Sequence, residues 1–335
     1  MPESEKKRIV ATDLPITESL ARRVAGAGGG EWVVRAIDEL DGSEKREGVE
    51  VVVLLDGGRV TDALFREMPR VRLLQSMSAG VDFIDISAIP PTVALCSNGG
   101  AFAKPIAEHA FGMALHLAKN LSINHERLRD GLFEGYPESA LLAGKTLGAI
   151  GAGGIGRAVA RAAKGFEMRT IGISTTGRPV EGFDEVWRTD RLDELLGRAD
   201  VVVVSLPLNN RTRHLIDARR LALMKEDCIL VNVARGDIVA QDALYSHLRT
   251  HPMFRAGIDV WWRYPRKGER FELDFPFFEL PNFLASPHAA DAVPEALAMG
   301  REHAFSNVIR YLDGLPPERV VDRSDYVGFR RTPGR

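Results

Sequence analysis

Three glycines, Gly151, Gly153 and Gly156, stand at G-x-G-x-x-G spacing, and the chemistry that spacing serves is the holding of phosphate. Gly151 permits a tight turn. Gly153 lets the backbone approach a pyrophosphate, and Gly156 lets a following helix pack closely on the preceding strand. Glycine-rich turns are common, so the flanks decide. An apolar run at 147–150 leads in, and Ile155, Val159, Ala162, Ala163 and Phe166 then recur at helical intervals. A second apolar run at 170–173 closes a strand–helix–strand unit of about 30 residues. The helix start, with Gly154, Ile155 and Gly156, offers N–H groups and a partial positive charge to a dinucleotide's phosphates.

The end of the second strand selects the nucleotide. A unit that prefers NAD usually carries Asp or Glu there, bonded to the ribose hydroxyls. Here the residues are Ser174, Thr175, Thr176, Gly177 and Arg178. No acid repels a 2′-phosphate, the hydroxyls can hydrogen-bond it, and Arg178 can pair with it. NADP(H) is therefore the expected cofactor, with NAD(H) the second choice.

Two domains are expected from 335 residues. Hydrophobic residues at 45% and charged ones at 27% describe an ordinary globular chain. A net charge of -2 gives no reason to expect nucleic acid or an anionic membrane as partner. Cys96 and Cys228 are the two cysteines, each beside apolar residues, which reads as buried thiols in a reducing compartment. No apolar run approaches 18 residues and no h-region follows the opening residues, so a cytoplasmic protein is expected. His109 and His116 lie seven apart on a helix that opens near Pro105, with no further ligand cluster. They read as packed or hydrogen-bonded, and no metal site is expected.

Short apolar runs at 8–11, 51–55, 71–74, 93–96, 199–208, 228–233, 254–260 and 283–285 read as buried strands. Helices are expected near 17–26, from 105 onward, at 240–249 and at 293–312. The charged stretch 38–50 reads as surface, and 121–140 as an irregular connection and a candidate oligomer contact. Strands that keep ending in polar or glycine-containing loops indicate a doubly wound α/β fold, with ligands at the carboxyl ends of the strands. The loops at 76–80 and 98–104 are then candidates for substrate contacts, with Ser78, Ala79 and Gly80 at the centre of the first.

Taken in order, the Gly151 fingerprint, the Val-Asn-Val-Ala-Arg-Gly-Asp-Ile-Val run at 231–239, Ala-Gly-Ile-Asp-Val at 256–260 and Ser-Pro-His at 286–288 resemble the D-isomer-specific 2-hydroxyacid dehydrogenases, of the glyoxylate or hydroxypyruvate reductase kind. The resemblance spans roughly 70–312. It implies two Rossmann-like domains, a nucleotide-binding one at 119–288 inserted into a substrate domain made of 1–118 and 289–335, and commonly a homodimer. It also implies that Arg235 binds the substrate carboxylate, which suits a planar, permanently charged fork. By the same resemblance His288 is the acid/base at the hydroxyl or carbonyl oxygen, a role that suits imidazole near neutral pH. Val233 and Pro207 would flank the nicotinamide, with Leu206 and Ala234 as neighbouring cofactor contacts. Thr212 would touch a ribose and Asp259 the nicotinamide carboxamide or ribose. The implied activity interconverts a small 2-oxo acid and its D-2-hydroxy acid.

One position departs from the family pattern. Five residues beyond Asp259 the family usually has a glutamate paired with the catalytic histidine, and here Tyr264 stands there. A phenol can orient the ring but supplies no opposite charge, so His288 is expected to give up its proton at lower pH than in relatives that keep the acid. Glu269, Glu272 or Asp274 could replace the missing carboxylate. Trp261, Trp262 and Tyr264 could line an apolar substrate wall or simply pack. The loss also keeps two other readings open: a nucleotide-sensing protein without turnover, and hydride abstraction from another anion such as formate.

Overall fold

The computed structural model describes residues 8–40, 42 and 46–329. Within these, the chain forms two compact units: one up to Ala101 and again from Pro294, the other Phe102–Val293. The divisions fall at 101/102 and 293/294, not at 118/119 and 288/289. The reason lies in the Ala103–Ala118 helix, expected at the end of the first segment. Its buried Ile106, Ala110, Met113 and Leu117 join Leu147, Val159, Val201 and Val231 in the core of the second unit.

The first unit holds a five-stranded parallel sheet in the order β2-β1-β3-β4-β5, from β1 (Arg8–Thr12), β2 (Trp32–Ala36), β3 (Val49–Leu54), β4 (Leu73–Ser76) and β5 (Ala94–Cys96). Val51, Val52 and Val53 have no exposed surface, as befits a strand covered on both faces. On one face lie Leu20 and Val24 of the Glu18–Gly26 helix with Phe305 and Val308 of the Ala296–Leu312 helix. On the other lie Leu64, Phe65, Ile84 and Ile89. Two expectations fail here. β2 escaped notice because glycines and charged residues flank it. The stretch read as surface ends inside β3, where buried Glu50 is held by Arg8 (2.6 and 3.1 Å) and Arg70 (3.1 Å).

The second unit holds seven parallel strands in the order β12-β11-β10-β9-β6-β7-β8. They are β6 (Thr146–Ile150), β7 (Arg169–Ser174), β8 (Glu185–Arg188), β9 (Val201–Val204), β10 (Ile229–Asn232), β11 (Arg255–Ile258) and β12 (Phe283–Ala285). This is the doubly wound order for dinucleotides with one strand added, and its switch point lies between β6 and β9. The segment at 121–140, read as irregular, contains the Leu121–Arg129 helix. Both cysteines are buried and free, and burial pushes the Cys96 thiol up to about 11. No helix among the described residues is long and apolar enough to cross a membrane.

Candidate active site

Because every strand of the second unit runs the same way, the loops after β6, β7, β9, β10, β11 and β12 open on one edge of the sheet. The fingerprint leaves β6 there. Gly151 has φ +111°, and a Cβ on Gly156 would lie 2.1 Å from the Gly151 carbonyl oxygen. The Ser205 hydroxyl donates to that same oxygen at 3.0 Å, tying β9 to the turn. These two glycines are demanded by the chain's own packing. A Cβ on Gly153 would meet nothing within 4 Å, so this glycine faces open space before the Gly154–Lys164 helix, whose first turn no side chain caps. An open cradle at a helix N-terminus fits a diphosphate.

After β7, the Ser174 hydroxyl accepts the N–H of Gly177 (3.0 Å) and the Thr176 hydroxyl accepts that of Arg178 (3.3 Å). This turn presents Thr175, Thr176 and Arg178 to solvent. It rests on a residue that the sequence reading passed over. Arg188 pairs with Ser174 in the β7–β8 ladder, and a Cβ on Gly177 would lie 2.6 Å from its Cγ. Arg188 was missed because β8, only four residues long, carries no strong apolar alternation.

After β10, the fully buried Asn232 fixes the next turn. Its Nδ2 donates to the Arg235 carbonyl (2.8 Å) and its Oδ1 accepts the N–H of Ala234 (3.1 Å). Arg235 is half-buried with Nη1 donating to the Ala234 carbonyl at 2.7 Å. Gly236 lies flush on the next loop, since a Cβ there would come within 2.4–2.6 Å of the Trp261–Trp262 backbone. From that loop the Trp261 N–H donates to the Tyr264 hydroxyl (3.1 Å), which is 2.8 Å from His288 Nδ1. An unbroken line of contacts thus runs from the Arg235 turn through Trp261 and Tyr264 to His288. Glu269 accepts the Arg266 N–H instead. The tryptophans do not form an exposed wall: Trp261 and Trp262 are 6% and 7% exposed, with indole N–H groups given to Ser286 O (3.0 Å) and Val239 O (2.7 Å).

His288 follows β12 in the left-handed region, φ +59°, a conformation that costs an imidazole-bearing residue on the order of 1 kcal/mol. Asp259 holds it there. Its carboxylate accepts the Ser286 hydroxyl and the N–H groups of Ala289 (2.9 Å) and Ala290 (3.2 Å), so the turn around His288 is wrapped on one buried anion. Asp259, expected as a cofactor contact, has no exposed surface, and both its oxygens accept hydrogen bonds from this turn. The Thr212 hydroxyl donates to Pro207 O (2.7 Å) and accepts the Asn209 N–H (2.9 Å), which closes its own loop. Val233 and Ala234 are 5% and 7% exposed, and Val233 belongs to the core cluster, while Leu206 is half-buried and Pro207 exposed. His109 bonds Ser286 and His116 bonds Ser122.

In the first unit, Ser78, Ala79 and Gly80 follow β4. The Ser78 carbonyl accepts the N–H of Asn98 (2.9 Å), and the Asn98 side chain bonds Met77 O and Gly300 O (2.9 Å each). The loop at 76–80 and the start of the loop at 98–104 are thereby joined within that unit.

Residues 111–290 match the family profile described as D-isomer specific 2-hydroxyacid dehydrogenase, NAD binding domain. Glyoxylate reductase of Pyrococcus furiosus is 32% identical over 290 residues, 84% of each chain. A D-isomer specific 2-hydroxyacid dehydrogenase family protein from Aeromonas salmonicida superposes with a TM-score of 0.71 at 27% identity, over 94% of this chain and 99% of its own. An NADPH-dependent glyoxylate/hydroxypyruvate reductase from Sinorhizobium meliloti, solved with NADP and sulfate, shares the fold at a TM-score of 0.73 and 23% identity, over 95% of this chain and 99% of its own. With the doubly wound sheets and the fingerprint in place, the chain belongs to the D-isomer-specific 2-hydroxyacid dehydrogenases, a family of NAD(P)-dependent oxidoreductases.

Proposed function

We propose that the protein reduces a small 2-oxo acid of the glyoxylate or hydroxypyruvate kind to its D-2-hydroxy acid, with NADPH preferred over NADH. The observation that carries this is the line of contacts joining the Arg235 turn to Tyr264 and His288 at the ends of three neighbouring strands. Gly151, Gly153, Gly154, Ile155 and Gly156 would hold the diphosphate, and Ser174, Thr175, Thr176, Arg178 and Arg188 the 2′-phosphate. The bound nicotinamide supplies the hydride that C2 of the substrate gains. Arg235 clamps the carboxylate, so that the carbonyl carbon has one reachable face. With Nδ1 engaged by Tyr264, Nε2 of His288 is the nitrogen that gives its proton to the carbonyl oxygen as C2 is reduced, and takes it back in the oxidation.

Loss of NADPH absorbance with a panel of 2-oxo acids, run beside NADH and beside formate in the oxidative direction, tests the reading. Turnover of glyoxylate or hydroxypyruvate is expected with NADPH. Silence across the panel in the presence of tight NADPH binding would sink it in favour of a nucleotide sensor.

A homodimer through the second unit belongs to the same proposal. Leu121, Leu128, Leu132, Phe133, Tyr136 and Leu141, all within or just beyond the Leu121–Arg129 helix, are 52–81% exposed. So many large apolar side chains on one segment mark a surface that associates.

A further inference from the structure

Near the catalytic turn sits a second histidine that the proposed chemistry does not use. His109, on the Ala103–Ala118 helix, has Nε2 at 2.8 Å from the Ser286 hydroxyl and 3.5 Å from Asp259 Oδ1, and its side chain is 26% exposed. Proton counting assigns the direction of these bonds. A carboxylate oxygen can only accept, so the one hydroxyl proton of Ser286 goes to Asp259. The Ser286 oxygen must then accept from His109, which carries its proton on Nε2. Asp259 is the anion on which the turn is wrapped, through Ala289 and Ala290, the two residues after His288. Ser286 is the second residue before His288. The bonds from His109 therefore reach the catalytic turn from both sides of the acid/base.

We propose that His109 is a positioning residue for catalysis: through Ser286 and Asp259 it fixes the left-handed turn that aims His288, without touching substrate or cofactor. The inference rests on the reading of His288 as the acid/base. A left-handed histidine has no intrinsic preference for that conformation and keeps it only if its surroundings over-determine it. The N–H groups of Ala289 and Ala290 do so only while the Asp259 carboxylate stays put, and His109 with Ser286 is what keeps one oxygen in place. Misplacement of a reacting group by about 1 Å costs on the order of 100-fold in rate, which is the scale of effect at stake.

The test compares His109→Phe, which keeps a ring of similar size but no donor, with His109→Gln, whose amide Nε2 can restore the bond to Ser286. Steady-state reduction of the best 2-oxo acid is measured with NADPH, together with the NADPH dissociation constant and the melting temperature. His109→Phe is expected to lower kcat by roughly 10- to 100-fold while KM and NADPH affinity stay within about twofold. His109→Gln should recover most of the loss. Ser286→Ala should fall as far as His109→Phe, with the double variant no worse than either, because one chain of bonds is being cut twice. Unchanged kcat in His109→Phe overturns the proposal. So does a fall in kcat that tracks lost stability and NADPH binding, or one that glutamine does not rescue. If His109→Phe fails to fold, Ser286→Ala decides alone by its kcat against KM. His288→Asn serves as the reference. Should it retain turnover, the acid/base reading has failed; should it be dead while His109→Phe is fully active, only the present inference has.

Discussion

Arg235 and Tyr264 can each be tested by a single change of chemistry. Arg235 offers a planar fork on a turn that Asn232 holds rigid. Lysine keeps the charge and loses the two parallel bonds, so Arg235→Lys should lower kcat/KM for the 2-oxo acid roughly 10- to 100-fold and leave the NADPH dissociation constant unchanged. Tyr264 bonds His288 Nδ1 without a charge. A carboxylate in its place would favour the imidazolium, so the proton would be held to higher pH. In the proposed mechanism reduction needs the protonated ring. The reductive limb of the pH–rate profile should therefore fall at lower pH in the natural enzyme than in Tyr264→Glu, by about 1 unit or more. Identical limbs would mean that a different group sets the proton's affinity.

Within the strand–helix–strand unit, the first and third glycines differ from the second in what they do. A side chain at 156 would collide with backbone, whereas one at 153 would project into space. Gly156→Ala should lower the melting temperature by several degrees, since overpacking a rigid contact costs about 1–3 kcal/mol. Gly153→Ala should melt as the natural protein does and yet bind NADPH at least about 10-fold more weakly, because the methyl group occupies the approach of the diphosphate. Calorimetry and fluorescence titration separate the two. In the proposed reading the turn after β7 sets the choice of nucleotide. Among the described residues neither Arg178 nor Arg188 forms an ion pair, so both are available to a phosphate. Replacing both with alanine should weaken NADPH and spare NADH, moving the ratio of the two kcat/KM values by at least about 10-fold toward NADH.

For the molecule as a whole, the exposed apolar segment is the feature that a solitary chain would not tolerate well. Phe133 is 81% and Tyr136 70% exposed. Phe133→Glu with Tyr136→Glu is expected to convert a sedimenting dimer into a monomer with an intact fold by circular dichroism. A natural protein that sediments as a monomer would refute the association at the outset.

Much of this was legible in the sequence because its signals are local. Hydrophobic runs such as 201–204 announce a strand buried on both faces, and glycines at fixed spacing announce a tight turn leading into a helix. Motif order was enough to place Arg235, Tyr264 and His288 on successive strand ends, since a parallel sheet sends each such end to the same edge. What only the tertiary structure decided concerns side chains with more than one partner to choose from. Asp259 could have faced a ligand or the interior, and the N–H groups of the turn at 286–290 drew it inward. Thr212 closed its own loop, the two tryptophans spent their indole groups on backbone carbonyls, and His109 met a serine 177 residues away. Arg188 came beside the turn after β7 through strand pairing. Local pattern sets which elements form, because backbone conformation and burial respond to neighbours in sequence. A polar side chain answers to whichever donor or acceptor the fold brings within 3 Å or so of it, and that is a property of the packed chain.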